Sequence, residues 1–276
     1  MDNKLELRLA IGEIVDRLTE MGYEMPDSLK RRDKREPGRL EKERMEDRLF
    51  MVMRRHFKKQ LIQLKERLEQ NYPSRKNAGI PPIPIDDIIN GEDDDEYVAS
   101  VIRVIGLSAT GGVNLFKENI NLGIDYTLIN DRALDWARNY TYDLIGKRTG
   151  GIDATTREAV SNAIQRFVDT PGFTIGDAVD QLSSYFSDTR ARMIATTEIT
   201  RAYGHGNQIA AEKLKEDFPD VKIVKTWHTD NDDRVCDICG PLEGKEVEVN
   251  EDFDTGIDNP PAHINCRCFS TMRTRI

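Results

Sequence analysis

The chain has 276 residues, of which 38% are apolar and 32% are charged, a composition that suits two domains built largely from long, exposed helices. We find no apolar run that approaches the length of a membrane span and no signal-peptide core at the charged N-terminus, so we expect no membrane partner and a reducing cytoplasm. The net charge of −9 is uneven, because residues 1–80 carry 20 Lys and Arg against 15 Asp and Glu, whereas the remainder carries 20 against 34; this excludes a uniformly basic nucleic-acid binder and predicts different partners for the two ends.

Residues 1–76 form a predicted helical N-terminal region. Asp2 can cap a first helix, whose apolar residues recur at helical spacing. A basic run follows at 30–35, and a second helix is predicted from about Leu40 to Gln70. We interpret the basic residues as a solvated helix face, with contact to DNA phosphates or to an acidic partner surface as the alternative.

Residues 77–100 are predicted to be a linker, because the prolines at 81, 82 and 84 disfavour helix and an acidic run follows them. The third region, 101–276, should be a domain rich in helices. Its first apolar segment begins near Tyr97, and we expect Gly106 and the pair Gly111–Gly112 to interrupt it.

Helix signals then follow one another, with predicted helices at 130–146 and from 188 to about 216, capped in the second case by Asp188. Between them, a helix is predicted to begin with Asp153 or Thr155 as its cap, and a short helix is predicted to begin at Thr174. Strands are predicted at 221–228, 245–249 and 266–274, the last beside the first. The fold class is therefore mostly α with a small C-terminal antiparallel β element (α+β), in which the helical domain ends in a β tip resembling a zinc knuckle.

The cysteines are confined to one segment, 236–268, where the chain reads C-D-I-C and later H-I-N-C-R-C. Two knuckles of this kind can present two ligands each to a tetrahedral zinc ion. The five candidate ligands for these four positions are Cys236, Cys239, His263, Cys266 and Cys268. We favour the set that omits Cys268 and expect a structural Zn²⁺; the alternatives are the four cysteines without His263, and a metal-free cluster of buried thiols.

A polar cluster is predicted on the long helix, where Glu198, Arg201 and His205 lie close in sequence. The simple interpretation is an ion-paired surface that joins Glu198 to Arg201, or Arg190 or Arg192 to a neighbouring element. A catalytic pair is the alternative. If only three protein ligands held the zinc, a hydrolytic site would be conceivable, with Glu198 or one of two other residues, His228 and Asp230, as the base.

Four motifs together resemble a known family. They are R-M-I-A-T-T-E at 192–198, K-T-W at 225–227, D-R-V-C-D-I-C at 233–239 and P-P-A-H-I-N-C-R-C at 260–268. In this order they resemble the phage Mu F-like head morphogenesis family, the minor head or minor capsid proteins of tailed phages and prophages. The resemblance covers roughly 126–276.

The resemblance implies a virion protein inside the phage head that is present in the host cytoplasm during assembly. It implies partners in the portal and in capsid or scaffold proteins, a possible contact with packaged DNA, and a part in DNA packaging or genome ejection. It does not imply an enzyme. Two alternatives remain, a zinc-dependent nuclease or hydrolase and a zinc-containing DNA-binding module that uses Arg267, Arg273 and Arg275.

Overall fold

A computed structural model describes residues 36–71, 94–120, 126–145, 152–170 and 173–275. The predicted first helix after Asp2 and the basic run at 30–35 lie outside the described residues, as does most of the predicted linker.

Helices make up most of the described chain, and a small sheet follows them. In chain order the helices are α1 (Arg39–Asn71), α2 (Asp94–Asn119), α3 (Tyr126–Ile145), α4 (Ile152–Asp169), α5 (Ile175–Leu182) and α6 (Asp188–Asp217). The strands are β1 (Lys222–His228), β2 (Glu246–Glu248) and β3 (Phe269–Arg275). The prediction of a mostly α fold with a small C-terminal antiparallel sheet is confirmed.

The core is built around α2 and α6, which pack against each other more extensively than any other pair of described elements. Helix α1 packs on both of them through apolar side chains at helical spacing, including Leu49, Met53 and Phe57, all fully buried. Helix α3 covers the other side of α2. The predicted N-terminal helix at 40–70 is thus confirmed, and it shares its core with the helices that follow.

Glycines explain how α2 and α6 come so close. A Cβ added at Gly112 would lie 2.2 Å from the carbonyl oxygen of Tyr203, and one added at Gly206 would lie 1.9 Å from that of Ala109. The prediction that glycines interrupt the segment after Tyr97 is wrong, because α2 runs unbroken from Asp94 to Asn119. These glycines lower the intrinsic stability of the helices but allow the two backbones to come into contact. The burial of both helices offsets the lost stability.

Helix α2 also corrects the expectation that no apolar segment approaches membrane length. Residues 95–119 are long and apolar enough to cross a membrane by length and composition alone. Half of the most apolar window is buried inside the protein, with Val101, Ile105 and Val113 fully enclosed. The central position of α2 in the core accounts for its composition.

Side-chain caps mark where two of the helices begin. Thr174 accepts a hydrogen bond from the backbone N–H of Asp177, whose carboxylate accepts one from the N–H of Thr174, so a capping box begins α5 as predicted. For α6 the cap is Ser187, whose hydroxyl accepts from the N–H of Arg190. The prediction of Asp188 as cap is wrong by one residue; Asp188 lies in the first turn, where its charge favours the helix dipole.

The sheet has the strand order β2-β1-β3, and both pairings are antiparallel. The longer pairing matches Lys222 with Arg275 and His228 with Phe269. Helix α6 supports this tip along its length. Near its C-terminal half, the Gln208 side chain donates to the backbone oxygen of Val249 (3.1 Å) and accepts from the Asn259 side chain (3.2 Å).

Candidate metal centre

The first knuckle follows β1 and closes on itself through the backbone. The N–H of Gly240 donates to the carbonyl oxygen of Cys236 (2.9 Å), and a short 3-10 helix, Gly240–Leu242, continues the chain. The N–H of Cys239 points at the sulfur of Cys236 (3.4 Å). Backbone N–H groups directed at a thiolate stabilise its charge, as a metal ligand requires.

The second knuckle turns between His263 and Cys266. The N–H of Cys266 donates to the carbonyl oxygen of His263 (3.2 Å), and Asn265 takes a positive φ of 61°. The N–H of Asn265 donates to the hydroxyl of Thr197 on α6 (2.8 Å). This bond fixes the knuckle to the helical body.

The two knuckles meet at their ligand atoms. The Nε2 atom of His263 lies 3.1 Å from the sulfur of Cys236 and 3.3 Å from that of Cys239, and the sulfurs of Cys239 and Cys266 are 3.8 Å apart. A tetrahedral zinc ion would set sulfur–sulfur distances at about 3.8 Å and sulfur–nitrogen distances at about 3.5 Å. The observed spacing is within a few tenths of an ångström of both values.

All five predicted ligands belong to this cluster. Among the described residues they form two overlapping triads, Cys236 with Cys239 and His263, and Cys239 with Cys266 and Cys268. Within each triad the ligand atoms lie within 4.8 Å of one another. Cys239 is common to both triads, which makes it the central sulfur of any site formed here.

The orientation of His263 suits a ligand. Its Nδ1 atom lies 2.8 Å from the carbonyl oxygen of Ile264, and because a carbonyl can only accept, Nδ1 carries the proton. Nε2 then presents its lone pair toward the cysteine sulfurs. Backbone hydrogen bonding at the outer nitrogen is the usual way in which proteins orient a histidine ligand.

The cysteine thiols perturb one another strongly. Hydrogen bonds from the thiols of Cys239 and Cys268 lower the pKa of Cys266, whereas the hydrogen bond to Cys266 is the main reason that the pKa of Cys239 is raised. At Cys236, burial alone would raise the pKa, but backbone N–H groups of Cys239 and Ile238 outweigh it and lower the pKa. A divalent cation would relieve this conflict, because several thiolates could share its charge.

The centre lies in a small apolar core of its own. Trp227 and Phe253 are fully buried there, stacked edge to face at 5.2 Å, beside Leu242 and the cysteines. Cys236 and His263 lie at the edge of this core and are partly exposed. Thiolate and imidazole donors suit zinc better than they suit harder cations. The residues present therefore could hold a metal ion and fit zinc in donor type and spacing.

The predicted polar cluster lies on α6, in the turns that follow Thr197. The Nε atom of Arg201 is 3.4 Å from Glu198, so the predicted ion pair is confirmed. The Tyr140 hydroxyl on α3 donates to Glu198 in a short hydrogen bond. Burial is the main reason that the pKa of Glu198 is raised. His205 does not join this pair; it stacks on Trp136 with ring centroids 4.2 Å apart.

The sequence did not indicate that Tyr140 contacts Glu198 or that Trp136 contacts His205, because aromatic residues at this spacing on a helix are also typical of the core. One signal could have found them. Glu198 lies between Thr197 and Ile199 in a stretch of α6 that is small and apolar, so its carboxylate had to meet a donor from another helix. The neighbouring prediction for Arg192 is confirmed, since it pairs with Asp47 of α1 at 2.8 Å.

The side chains proposed for hydrolysis have other partners. His228 lies 2.8 Å from the hydroxyl of Thr271 and stacks on Phe269. Asp230 accepts a short hydrogen bond from Arg267, which also binds Asp232 at 2.8 Å.

The arginines proposed for phosphate contact are also paired. Arg267 is held by its two aspartates, and 13% of its side-chain surface is exposed. Arg273 and Arg275 both bind Glu246, at 2.6 and 3.1 Å. All three arginines thus have a carboxylate partner within the protein, while the side chains of Arg273 and Arg275 stay 59% and 60% exposed, so the DNA-binding alternative stays a prediction.

No curated protein and no solved structure matches the chain. Residues 155–271, which run from α4 into β3 and contain all five candidate ligands, match the family model described as Phage Mu protein F like protein. The matched segment includes the four motifs that carried the resemblance in the sequence. Over this segment, which contains the candidate metal centre, the chain is similar to the phage Mu protein F-like family, as the motifs in the sequence indicated.

Proposed function

We propose that this protein is a minor head protein of a tailed phage or prophage, associated with the portal and acting in head morphogenesis and in DNA packaging or ejection. The observation that carries the proposal is the match of residues 155–271 to the phage Mu protein F-like family model, which supports a phage head-related role. Capsid or scaffold proteins and packaged DNA are the further proposed contacts. The proposed location is the virion, reached from the host cytoplasm during assembly.

We further propose a structural zinc ion held by Cys236, Cys239, His263 and Cys266. Short contacts between ligand atoms link Cys236 to His263, His263 to Cys239, and Cys239 to Cys266. Cys268 supplies a neighbouring thiol. A closed set of four protein ligands leaves no coordination position for a reacting water, which supports a role without catalysis. The metal would hold the two knuckles together and stabilise the tip.

Metal analysis of the purified protein tests the site. We expect about one zinc per chain in the native protein and loss of the metal in Cys239→Ser, because Cys239 belongs to both triads. The favoured ligand set predicts that Cys268→Ser keeps its zinc and that His263→Ala loses it. If His263→Ala keeps the metal and Cys268→Ser loses it, the four-cysteine set is correct; a folded protein without zinc would refute the site.

The portal contact is tested by removing residues 2–35 and leaving α1 in place. Helix α1 contributes Leu49, Met53 and Phe57 to the core, so a longer deletion would unfold the protein and confuse loss of fold with loss of binding. We expect the shortened protein to keep a cooperative unfolding transition and to lose capture by the portal protein. Unchanged capture would show that the N-terminal segment is not the portal-binding element.

The absence of catalysis is tested by a plasmid-nicking assay with added zinc or magnesium. We expect no cleavage above that of a Glu198→Gln variant prepared in parallel. Cleavage by the native protein that disappears in this variant or in His263→Ala would favour the nuclease alternative over the structural role.

A further inference from the structure

A groove of about 960 Å³ lies on the side of α6 that faces α3 and the start of α4. Its size is near the upper end of what ligand sites in proteins usually have. The wall is largely apolar and includes Leu144, Ile152, Met193 and Ile194. One further wall residue comes from the metal centre, Ile264 of the second knuckle.

Ile264 is the most exposed large apolar side chain among the described residues, with 73% of its surface accessible. Its neighbours on either side are held, since His263 belongs to the ligand cluster and Asn265 is bonded to Thr197. The knuckle therefore holds an apolar side chain at the edge of an apolar groove, an arrangement typical of a contact surface.

A buried carboxylate also lines the groove. Only 7% of the Glu198 surface is exposed, and its one hydrogen bond comes from the Tyr140 hydroxyl, to Oε2. The Nε atom of Arg201 approaches the same oxygen at 3.4 Å without forming a hydrogen bond. Within the described part of the chain, Oε1 of Glu198 has no hydrogen-bond donor, and it is not one of the fully buried atoms without a partner, so this oxygen keeps some accessible surface.

Glu198 pairs through Oε2 with Arg201, which is not among the described residues that line the groove. The described lining includes one cation, Arg190. The Arg190 guanidinium is engaged within the protein, since it donates to the Ile152 carbonyl oxygen (3.1 Å), the Tyr185 carbonyl oxygen (2.6 Å) and the hydroxyl of Thr156. The groove thus offers an apolar wall and a carboxylate oxygen, Oε1 of Glu198, that can accept a hydrogen bond.

We propose that this groove binds a segment of a partner protein in which a lysine is flanked by apolar residues. The lysine side chain has an apolar stem that suits the wall and an ammonium group that can donate to Oε1 of Glu198, and the flanking residues would cover Ile264. The inference goes beyond the proposed head function, because it specifies the chemistry of the bound segment. It does not specify which partner protein contains that segment.

Binding of short peptides tests the proposal directly. The probe is a fluorescein-labelled, capped peptide with the sequence Gly-Leu-Lys-Leu-Gly, and the control peptide carries norleucine in place of lysine. Fluorescence anisotropy with the full chain should show binding of the lysine peptide and weaker binding of the norleucine peptide. Equal affinity for both peptides, or no binding of the lysine peptide at millimolar protein, would overturn the proposal.

Two pairs of matched variants locate the binding site. Glu198→Gln keeps an acceptor for Tyr140 and should weaken the lysine peptide about tenfold or more, the usual effect of losing a hydrogen bond to a charged group. Glu212→Gln changes an exposed glutamate of the same helix and should have no effect. Equal losses in these two variants would refute the assignment of Glu198.

The second pair tests the apolar wall. Ile264→Ser should weaken both peptides, whereas Ile238→Ser, which changes the exposed isoleucine of the other knuckle, should weaken neither. Light scattering of the native protein and of Glu198→Gln provides the last control. If the native protein is an oligomer that Glu198→Gln dissociates, a second copy occupies the groove and the proposed partner segment is wrong.

Discussion

Substitution of Gly206 by alanine tests the closest contact in the core. The added Cβ would lie 1.9 Å from the carbonyl oxygen of Ala109, whereas real Cβ contacts essentially never fall below 3.0 Å. The obstacle is backbone of α2, which cannot rotate away as a side chain can, so the two helices would have to separate by about an ångström. Overpacking of this kind costs about 1–3 kcal/mol and sometimes more.

Alanine also favours a helix over glycine by about 1 kcal/mol, and this gain opposes the loss. The steric term is larger, so we expect Gly206→Ala to lower the free energy of unfolding by roughly 2 kcal/mol. Urea denaturation followed by circular dichroism at 222 nm measures the difference.

Gly176→Ala is the matched control, because Gly176 lies exposed in α5 and an added Cβ would meet nothing closer than 3.5 Å. We expect this variant to be as stable as the native protein or slightly more stable. If Gly206→Ala behaves in the same way, α2 and α6 do not approach as closely as the structure has them.

Three further predictions concern a buried histidine, the knuckle and a helix cap. Burial lowers the pKa of His56 to about 4 from 6.5, so the unfolded state takes up the proton first as the pH falls. The free energy of unfolding should therefore drop by roughly 3 kcal/mol between pH 7 and pH 4. The variant His56→Phe keeps the stacking on Tyr97 and should lack this part of the pH dependence. Thr197→Val removes the acceptor of the Asn265 N–H. Because Asn265 is exposed and water can replace the acceptor, the loss should be about 0.5–1.5 kcal/mol, with faster proteolysis at the second knuckle; unchanged stability would show that this bond does not hold the loop. Thr174→Ala should cost about 1 kcal/mol in thermal or urea unfolding through loss of the capping box of α5, and an unchanged midpoint would contradict that role.

The sequence predicted the elements of the fold where local signals agree with tertiary packing. The apolar repeat of α1, the β-branched run of β1 and the cap at Thr174 each specify their element without help from a distant residue. Gly106, Gly111 and the other glycine of α2 misled the prediction because propensity is a local property. The benefit of Gly111 and Gly112 comes from α6, about 90 residues further along the chain, and that of Gly106 from α3, and no local pattern reveals either.

The candidate site shows the same division. The five ligand candidates could be listed from spacing alone, since both knuckles are short and each presents its ligands locally. The partner of Glu198 could not be predicted from spacing, because Tyr140 reaches it from another helix. Aromatic residues at helical spacing usually indicate a core position. The commitment of Arg267 to Asp230 was equally hidden, as it depends on how the first turn of the tip folds over β3.

Helix α6 connects the metal centre to the groove through two consecutive residues. Thr197 accepts the N–H of Asn265 and so holds the second knuckle, while the next residue, Glu198, contributes its carboxylate to the groove. Ile264 lies between the candidate ligand His263 and Asn265, which is anchored to Thr197. A metal ion at the cluster would therefore stabilise the tip and also fix one wall of the groove, because the loop that carries the ligand also carries the apolar contact. A structural zinc site in this fold thus has a direct physical route to partner binding without taking part in any reaction.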